Sequence, residues 1–245
     1  MLKNITLHIV EDYNSLSKNA AELFACVVKG NPTGVYGFAT GSTPEGMYAE
    51  LVQMSKANKV DLTKITAFNL DEYATLSPDN SQSYHYFMAQ KLFDPVGVPL
   101  QNRNIPKGDT LCPHEESIAY ENKIAACGGI SLQILGIGTN GHIGFNEPAD
   151  IFAGQTAYVE LAPETIEANK RFFTNVNDVP RYALSMGIKT IMMAETILLL
   201  ASGDNKANAI RDALTGPITP KVPASALQLH RNVTVIADKA AAKYL

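Results

Sequence analysis

Cysteine is scarce in this sequence, basic charge is not in excess, and no hydrophobic run is long. The three cysteines, Cys26, Cys112 and Cys127, are odd in number and form no CxxC pair. That excludes a disulfide framework and predicts free, mostly buried thiols in a reducing compartment. Lys and Arg number 20 against 24 Asp and Glu, for a net charge of -4. A nucleic-acid surface is therefore not indicated, although a few local cations would suffice to hold a small anion. The longest apolar run, Thr196–Ala201, is far too short to span a bilayer. The start, MLKNITLHIVED, meets Glu and Asp too early for a secretory signal. A soluble, cytoplasmic protein is expected, without nucleic-acid or membrane partners.

Hydrophobic residues fill 46% of the 245 positions. A chain of this size can bury roughly 70–75% of the surface that it exposes unfolded. No repeat, low-complexity tract or linker divides it, so a single domain over 1–245 is expected. Apolar strand-like runs alternate with helical patterns. Ile5–Val10, Val35–Ala39, Ile65–Leu70, Leu132–Ile137, Thr196–Ala201 and Val233–Ala237 read as strands. Leu16, Ala20, Leu23, Phe24 and Val27 recur at helical spacing, and Pro44 opens a helix running through Met47, Tyr48 and Leu51. Residues 81–93 and 114–126 read as helices, Thr156–Leu161 as extended, and Pro163–Lys170 and the stretch from Gly203 to Leu214 as helical. The alternation predicts an α/β fold, a three-layer sandwich with a mostly parallel, Rossmann-like sheet. Ligands in such folds sit beyond the carboxyl ends of the strands. Four polar segments fall there: 40–44, 71–73, 138–148 and 203–206.

Thr40-Gly41-Ser42-Thr43-Pro44 joins a strand to a helix. Gly41 lets the backbone approach an anion, and the amides and hydroxyls of Thr40, Ser42 and Thr43 can ring a phosphate. An ordinary turn with a Ser or Thr helix cap fits the segment equally well. It is not a P-loop, because no Lys follows in register. Lys206, in Gly203-Asp204-Asn205-Lys206, falls in a first helical turn, where a cation is unfavourable unless an anion offsets it. Arg171, in ANKRFF, is a third cation that could clamp a phosphate or pair with a carboxylate. The run Gly136-Ile137-Gly138-Thr139-Asn140-Gly141 matches GxGxxG, and Glu160 stands where a ribose-binding acid would. A dinucleotide site is nevertheless rejected, because HIGFNEPAD follows and its Gly144, Asn146 and Pro148 would break the helix that such a motif must open.

Those glycines suit a catalytic loop. His142 and Glu147 stand five residues apart in it. A carboxylate beside a neutral imidazole fixes its tautomer and makes it a better base, and the Asn140 amide could hold a ring or carbonyl oxygen. A loop-stabilising pair is the plainer alternative. A metal site is not expected, since no third His or Cys stands near. Asp71-Glu72 follows an apolar strand, where desolvation raises the proton affinity of a carboxylate. Asp71 could then take a proton from carbon next to a carbonyl or iminium, or simply cap a helix.

The segments ATGSTP (39–44), FNLDEY (68–73), LGIGTNGHIGFNEP (135–148), ANKRFF (168–173), GDNKA (203–207) and SALQLH (225–230) together resemble the glucosamine-6-phosphate deaminase/isomerase family. The likeness runs through nearly the whole chain in order. It implies conversion of glucosamine 6-phosphate and water to fructose 6-phosphate and ammonia, a step of amino-sugar (N-acetylglucosamine) catabolism, with no cofactor. By this resemblance His142, oriented by Glu147 and helped by Asn140, opens the sugar ring. Asp71 moves a proton between C2 and C1. Thr40, Gly41, Ser42, Thr43, Arg171 and Lys206 hold the phosphate. Many relatives carry Asp where this chain has Asn140, and an amide cannot act as a base. The hexameric, allosteric relatives carry two basic residues where Ala157 and Val159 stand here. A monomer is compatible with that difference, and a homo-oligomer stays open. The stretch 149–175 is expected to form a lid that brings Arg171 onto the phosphate. Two rival readings are a 6-phosphogluconolactonase-like hydrolase, which has no need of Asp71, and a sugar-phosphate sensor, which has no need of Asp71 and His142 together.

Overall fold

Asp12 starts the first helix: its side chain accepts the Ser15 amide at 2.8 Å, which supplies one of the orphan donors of a helix start with a partner. A computed structural model of the chain describes residues 4–170, 173, 175 and 178–245. Its strands are β1 (Ile5–Val10), β2 (Val35–Phe38), β3 (Thr66–Asn69), β4 (Asp71–Tyr73), β5 (Arg103–Asn104), β6 (Leu132–Leu135), β7 (Ala157–Glu160), β8 (Tyr182–Ser185), β9 (Thr196–Ala201) and β10 (Val233–Asp238). The helices are α1 (Tyr13–Gly30), α2 (Ser42–Lys56), α3 (Tyr84–Met88), α4 (Asp94–Val96), α5 (Pro113–Ala126), α6 (Pro163–Asn169), α7 (Ile188–Met192) and α8 (Ala207–Thr215). A π-helical turn, Ala89–Phe93, joins α3 to α4.

Seven strands form one sheet in the order β1-β10-β9-β6-β2-β3-β5, and every neighbouring pair is parallel. The central strands β2 and β6 are buried along their whole length, as a parallel sheet covered on both faces requires. On one face Leu16, Ala20 and Phe24 of α1 pack with Tyr48 and Leu51 of α2. On the other, Tyr120 and Ile124 of α5 pack with Ile210 and Leu214 of α8. The three layers expected from the alternation are therefore present. Among the described residues no helix is long and apolar enough to cross a membrane.

Of a small antiparallel sheet, in the order β4-β8-β7, only β7 was legible in the pattern, within the extended stretch Thr156–Leu161. The expected strand Ile65–Leu70 ends early and hands the chain over at Leu70. The Leu70 amide still donates to Phe38 of the parallel sheet at 2.9 Å, while its carbonyl accepts the Met186 amide at 2.7 Å. Asp71–Tyr73 then pairs with Ser185, Leu184 and Ala183 of β8. This change of partner carries Asp71 from the end of one sheet onto the first strand of another. The stretch 149–175 contains β7 and α6 and is tied to the body by β7–β8 pairing.

One expectation fails. All three cysteines are free but exposed. Cys26 falls on the outer face of α1, and Cys112 and Cys127 flank α5 at its two caps, where the chain turns through solvent.

Candidate active site

Four adjacent strands, β9, β6, β2 and β3, end at the same sheet edge and lead into the four polar segments. Three gaps at the ~4.8 Å strand spacing span about 14 Å, the scale of one hexose phosphate.

The loop after β6 carries the candidate acid–base residues. Glu147 Oε2 accepts the Asn140 side-chain amide at 2.8 Å and lies 3.2 Å from His142 Nδ1. The imidazole lies beside Glu147, but no hydrogen bond of good geometry joins them. The other carboxylate oxygen of Glu147 accepts the Thr165 hydroxyl at 2.5 Å. Burial alone would raise the Glu147 carboxyl. His142, Thr165 and Asn140 outweigh that and hold it at about 2, so it is ionised throughout the working range. Gly138 makes room for the ring: a Cβ there would meet His142 Cε1, Nδ1 and Nε2 at 2.3–2.5 Å. The chain turns at Gly141 and Gly144, both at positive φ (84° and 57°), where a side chain is strained.

Asp71 faces the same loop. Its Oδ2 lies 3.6 Å from the point where a Cβ on Gly144 would sit, two residues beyond His142. Asp71 is buried, with 6% of its surface exposed. Burial, with the Glu72 charge beside it, pushes its carboxyl up to about 8. Three phenols, the buried Tyr48 and Tyr120 and the half-buried Tyr84, feel its charge; each is raised chiefly by desolvation. Glu72 is fully buried and held in place by the Tyr73 amide at 2.8 Å, the Tyr84 and His85 amides at 2.9 and 3.0 Å, and the His85 ring at 2.8 Å. It is a fixed carboxylate adjacent to Asp71. Sequence reasoning gave it no separate task, and the donors of α3, twelve and thirteen residues on, carry no sequence signal for this contact.

The segments expected to hold an anion lie at the same edge. Gly41, at φ 101°, precedes α2, and no side chain caps that helix. The ordinary-cap alternative therefore fails. The first-turn amides, including those of Ser42 and Thr43, lie at the helix start, where anions are favoured. The Thr40 side chain lies close enough to the Tyr84 phenol to lower its proton affinity, which links this segment to the Asp71 surroundings. A cavity of about 520 Å³ is bordered by Ser42, Thr43, Ser202 and Tyr13. Lys206 ends the 3₁₀ turn Asp204–Lys206 that follows Ser202 and leads into α8. Asp238 fixes that turn: it accepts the Ser202 hydroxyl at 2.5 Å, the Gly203 amide at 3.1 Å and the Ala241 amide at 2.8 Å. Arg171 lies outside the described residues. Thr165, Asp238 and Tyr13 were not singled out by sequence, because each acts through partners distant along the chain.

The profile of the family described as glucosamine-6-phosphate isomerases/6-phosphogluconolactonase matches residues 14–236. The chain belongs to that family. Among curated members, a glucosamine-6-phosphate deaminase of Halothermothrix orenii is 51% identical over 237 residues, 97% of this chain and 98% of its own. One from Clostridium acetobutylicum is 50% identical over 236 residues, covering 96% of this chain and 98% of its own. A solved monomeric glucosamine-6-phosphate deaminase superposes with a TM-score of 0.95 at 42% identity, covering 98% of this chain and 100% of that one. A 6-phosphogluconolactonase from Thermotoga maritima shares the fold, with a TM-score of 0.74 at 17% identity, covering 96% of this chain and 100% of that one. Both activities of the family name thus occur on this fold, and the residues at the sheet edge must decide between them.

Proposed function

We propose that this chain is an isomerising deaminase that converts glucosamine 6-phosphate and water to fructose 6-phosphate and ammonia. The observation that carries the reading is the approach of Asp71 Oδ2 to the His142 loop, 3.6 Å from the Cβ position of Gly144. One carboxylate and one imidazole then flank a single sugar. The high identity to deaminases supports the same choice.

The substrate's phosphate rests on the Thr40–Thr43 segment, with Lys206 and Arg171 as counter-charges. His142, held by Glu147 and with Asn140 at the sugar oxygen, takes the proton from the C1 hydroxyl. The ring oxygen gains a proton as the C1–O5 bond breaks, leaving an open-chain aldehyde. Asp71 removes the C2 hydrogen, and the C2 ammonium gives one proton to the carbonyl oxygen at C1, which leaves a neutral enolamine. The proton on Asp71 passes to C1, and C2 becomes an iminium. Water adds to C2 and ammonia leaves. Without ligand the Asp71 carboxyl, at about 8, holds its proton near neutral pH. The ammonium on C2 of a bound amino sugar supplies an opposite charge that favours the carboxylate. The base therefore forms when the right substrate is in place.

Thr165 ties α6 to Glu147, so closure of the 149–175 lid would set the acid–base residues and deliver Arg171 together. We extend to this chain the monomeric state of the solved deaminase and a place in cytoplasmic amino-sugar catabolism, since a sugar phosphate does not cross a bilayer unaided. The test is direct: incubation with glucosamine 6-phosphate should release ammonia and fructose 6-phosphate in equal amounts. Hydrolysis of 6-phosphogluconolactone without ammonia release would overturn the reading.

A further inference from the structure

The Tyr13 hydroxyl occupies an unusual place. It donates to the Ser42 carbonyl at 2.7 Å and accepts the Gly46 amide at 2.8 Å. Those two groups are an i→i+4 pair in the first turn of α2. Tyr13 is the first residue of α1 and reaches across 29 positions of sequence. Its approach depends on Gly46: a Cβ there would meet Tyr13 Oη at 2.8 Å and Ser17 Oγ at 2.2 Å. The ring also borders the cavity that Ser42, Thr43 and Ser202 line.

From this geometry we infer that Tyr13 is a positioning residue for phosphate binding, which fixes the peptide plane between Ser42 and Thr43. A trans peptide directs its carbonyl and its N–H to opposite sides. Holding the Ser42 carbonyl therefore holds the Thr43 N–H aimed out of the helix start, toward the anion. Tyr13 does not bind the phosphate itself. A phenol has one proton to donate, and Ser42 takes it. The inference rests on the phosphate reading above and adds what pre-organises that site.

Tyr13→Phe keeps the ring and removes the hydroxyl. The KM for glucosamine 6-phosphate and the inhibition constant of inorganic phosphate should rise together, roughly threefold to tenfold, the weight of one hydrogen bond. The kcat should stay within about twofold, since the reacting carbons are held by other groups. A change in folding alone would not split KM from kcat in this way. Should Tyr13→Phe fail to fold, Gly46→Ala combined with Ser17→Ala displaces the hydroxyl by a new methyl, in a helix that alanine favours, and should raise the same two constants. Variants with unchanged KM and phosphate inhibition, or with a lowered kcat at unchanged KM, overturn the role of Tyr13 alone. A wild-type enzyme that turns the sugar over but is not inhibited by phosphate overturns the cradle and this inference together. A wild-type protein without turnover tells against the deaminase reading instead.

Discussion

His142 Nδ1 stands 3.2 Å from Glu147 Oε2, and that oxygen also receives the Asn140 amide. With Asn at 140, Glu147 is the carboxylate in contact with the imidazole. Glu147→Gln should lower kcat by about a hundredfold or more, the weight of a carboxylate that orients a catalytic imidazole, with a smaller change in KM. The stability effect has a defined sign. The folded carboxyl, at about 2, lies below its ordinary 4.5, so its contribution is present above pH 4.5 and is lost as pH falls through 2. The deficit in Tm of Glu147→Gln should be full at neutral pH and shrink as the pH is lowered toward 2.

Asp71 has the opposite sign. Its folded value of about 8 lies above the ordinary 3.8, so folding favours the protonated form. The wild-type protein loses stability as pH rises from about 4 to about 8 and is flat beyond. Asp71→Asn cannot ionise and escapes that loss. Its Tm should exceed that of the wild type at pH 8, with the gain fading toward pH 4. Thermal unfolding across this range checks it. Such a cost in stability is expected of the base proposed for Asp71, where burial is needed for function.

Gly138→Ala places a methyl within 2.5 Å of the His142 ring. The imidazole must move, and a displacement on the order of 1 Å from the reacting geometry costs about a hundredfold. Steady-state kinetics should show this in kcat, with KM within about threefold of the wild type, because the phosphate cradle is untouched.

Lys206→Ala should act the other way. A charge-assisted hydrogen bond contributes about 1.5–3 kcal/mol, so KM should rise by roughly tenfold to a hundredfold while kcat changes little. The wild-type KM should also climb with salt more steeply than that of the variant, since one screened charge is gone.

Periodicity was enough for the parallel sheet and its two helical layers, because buried strands such as Leu132–Leu135 and Thr196–Ala201 are short, mostly apolar runs. The four strand-end segments were legible for the same reason: polar, glycine-bearing stretches directly after such runs mark ligand loops. Of the short antiparallel sheet, only β7 was legible, within the extended stretch Thr156–Leu161. Asp71–Tyr73 is only three residues long, and Tyr182–Ser185 alternates too briefly to announce itself. Their pairing depends on the handover at Leu70, which is a tertiary event. The same holds for Glu72 with His85 and for Tyr13 with Ser42. Each is a hydrogen bond between distant residues whose types occur equally on ordinary surfaces. The exposed cysteines show the limit of composition, which gives the redox setting of a thiol but not the face of the helix it stands on.

The central claim is that Asp71 carries the hydrogen lost from C2. The most direct measurement follows that hydrogen, using glucosamine 6-phosphate deuterated at C2 and NMR of the sugar. Wild-type enzyme should strip the label from C2 and pass part of it to C1 of fructose 6-phosphate. Asp71→Asn should leave C2 deuterated while still interconverting the anomers through His142. Removal of the C2 label by Asp71→Asn at the wild-type rate would contradict the account.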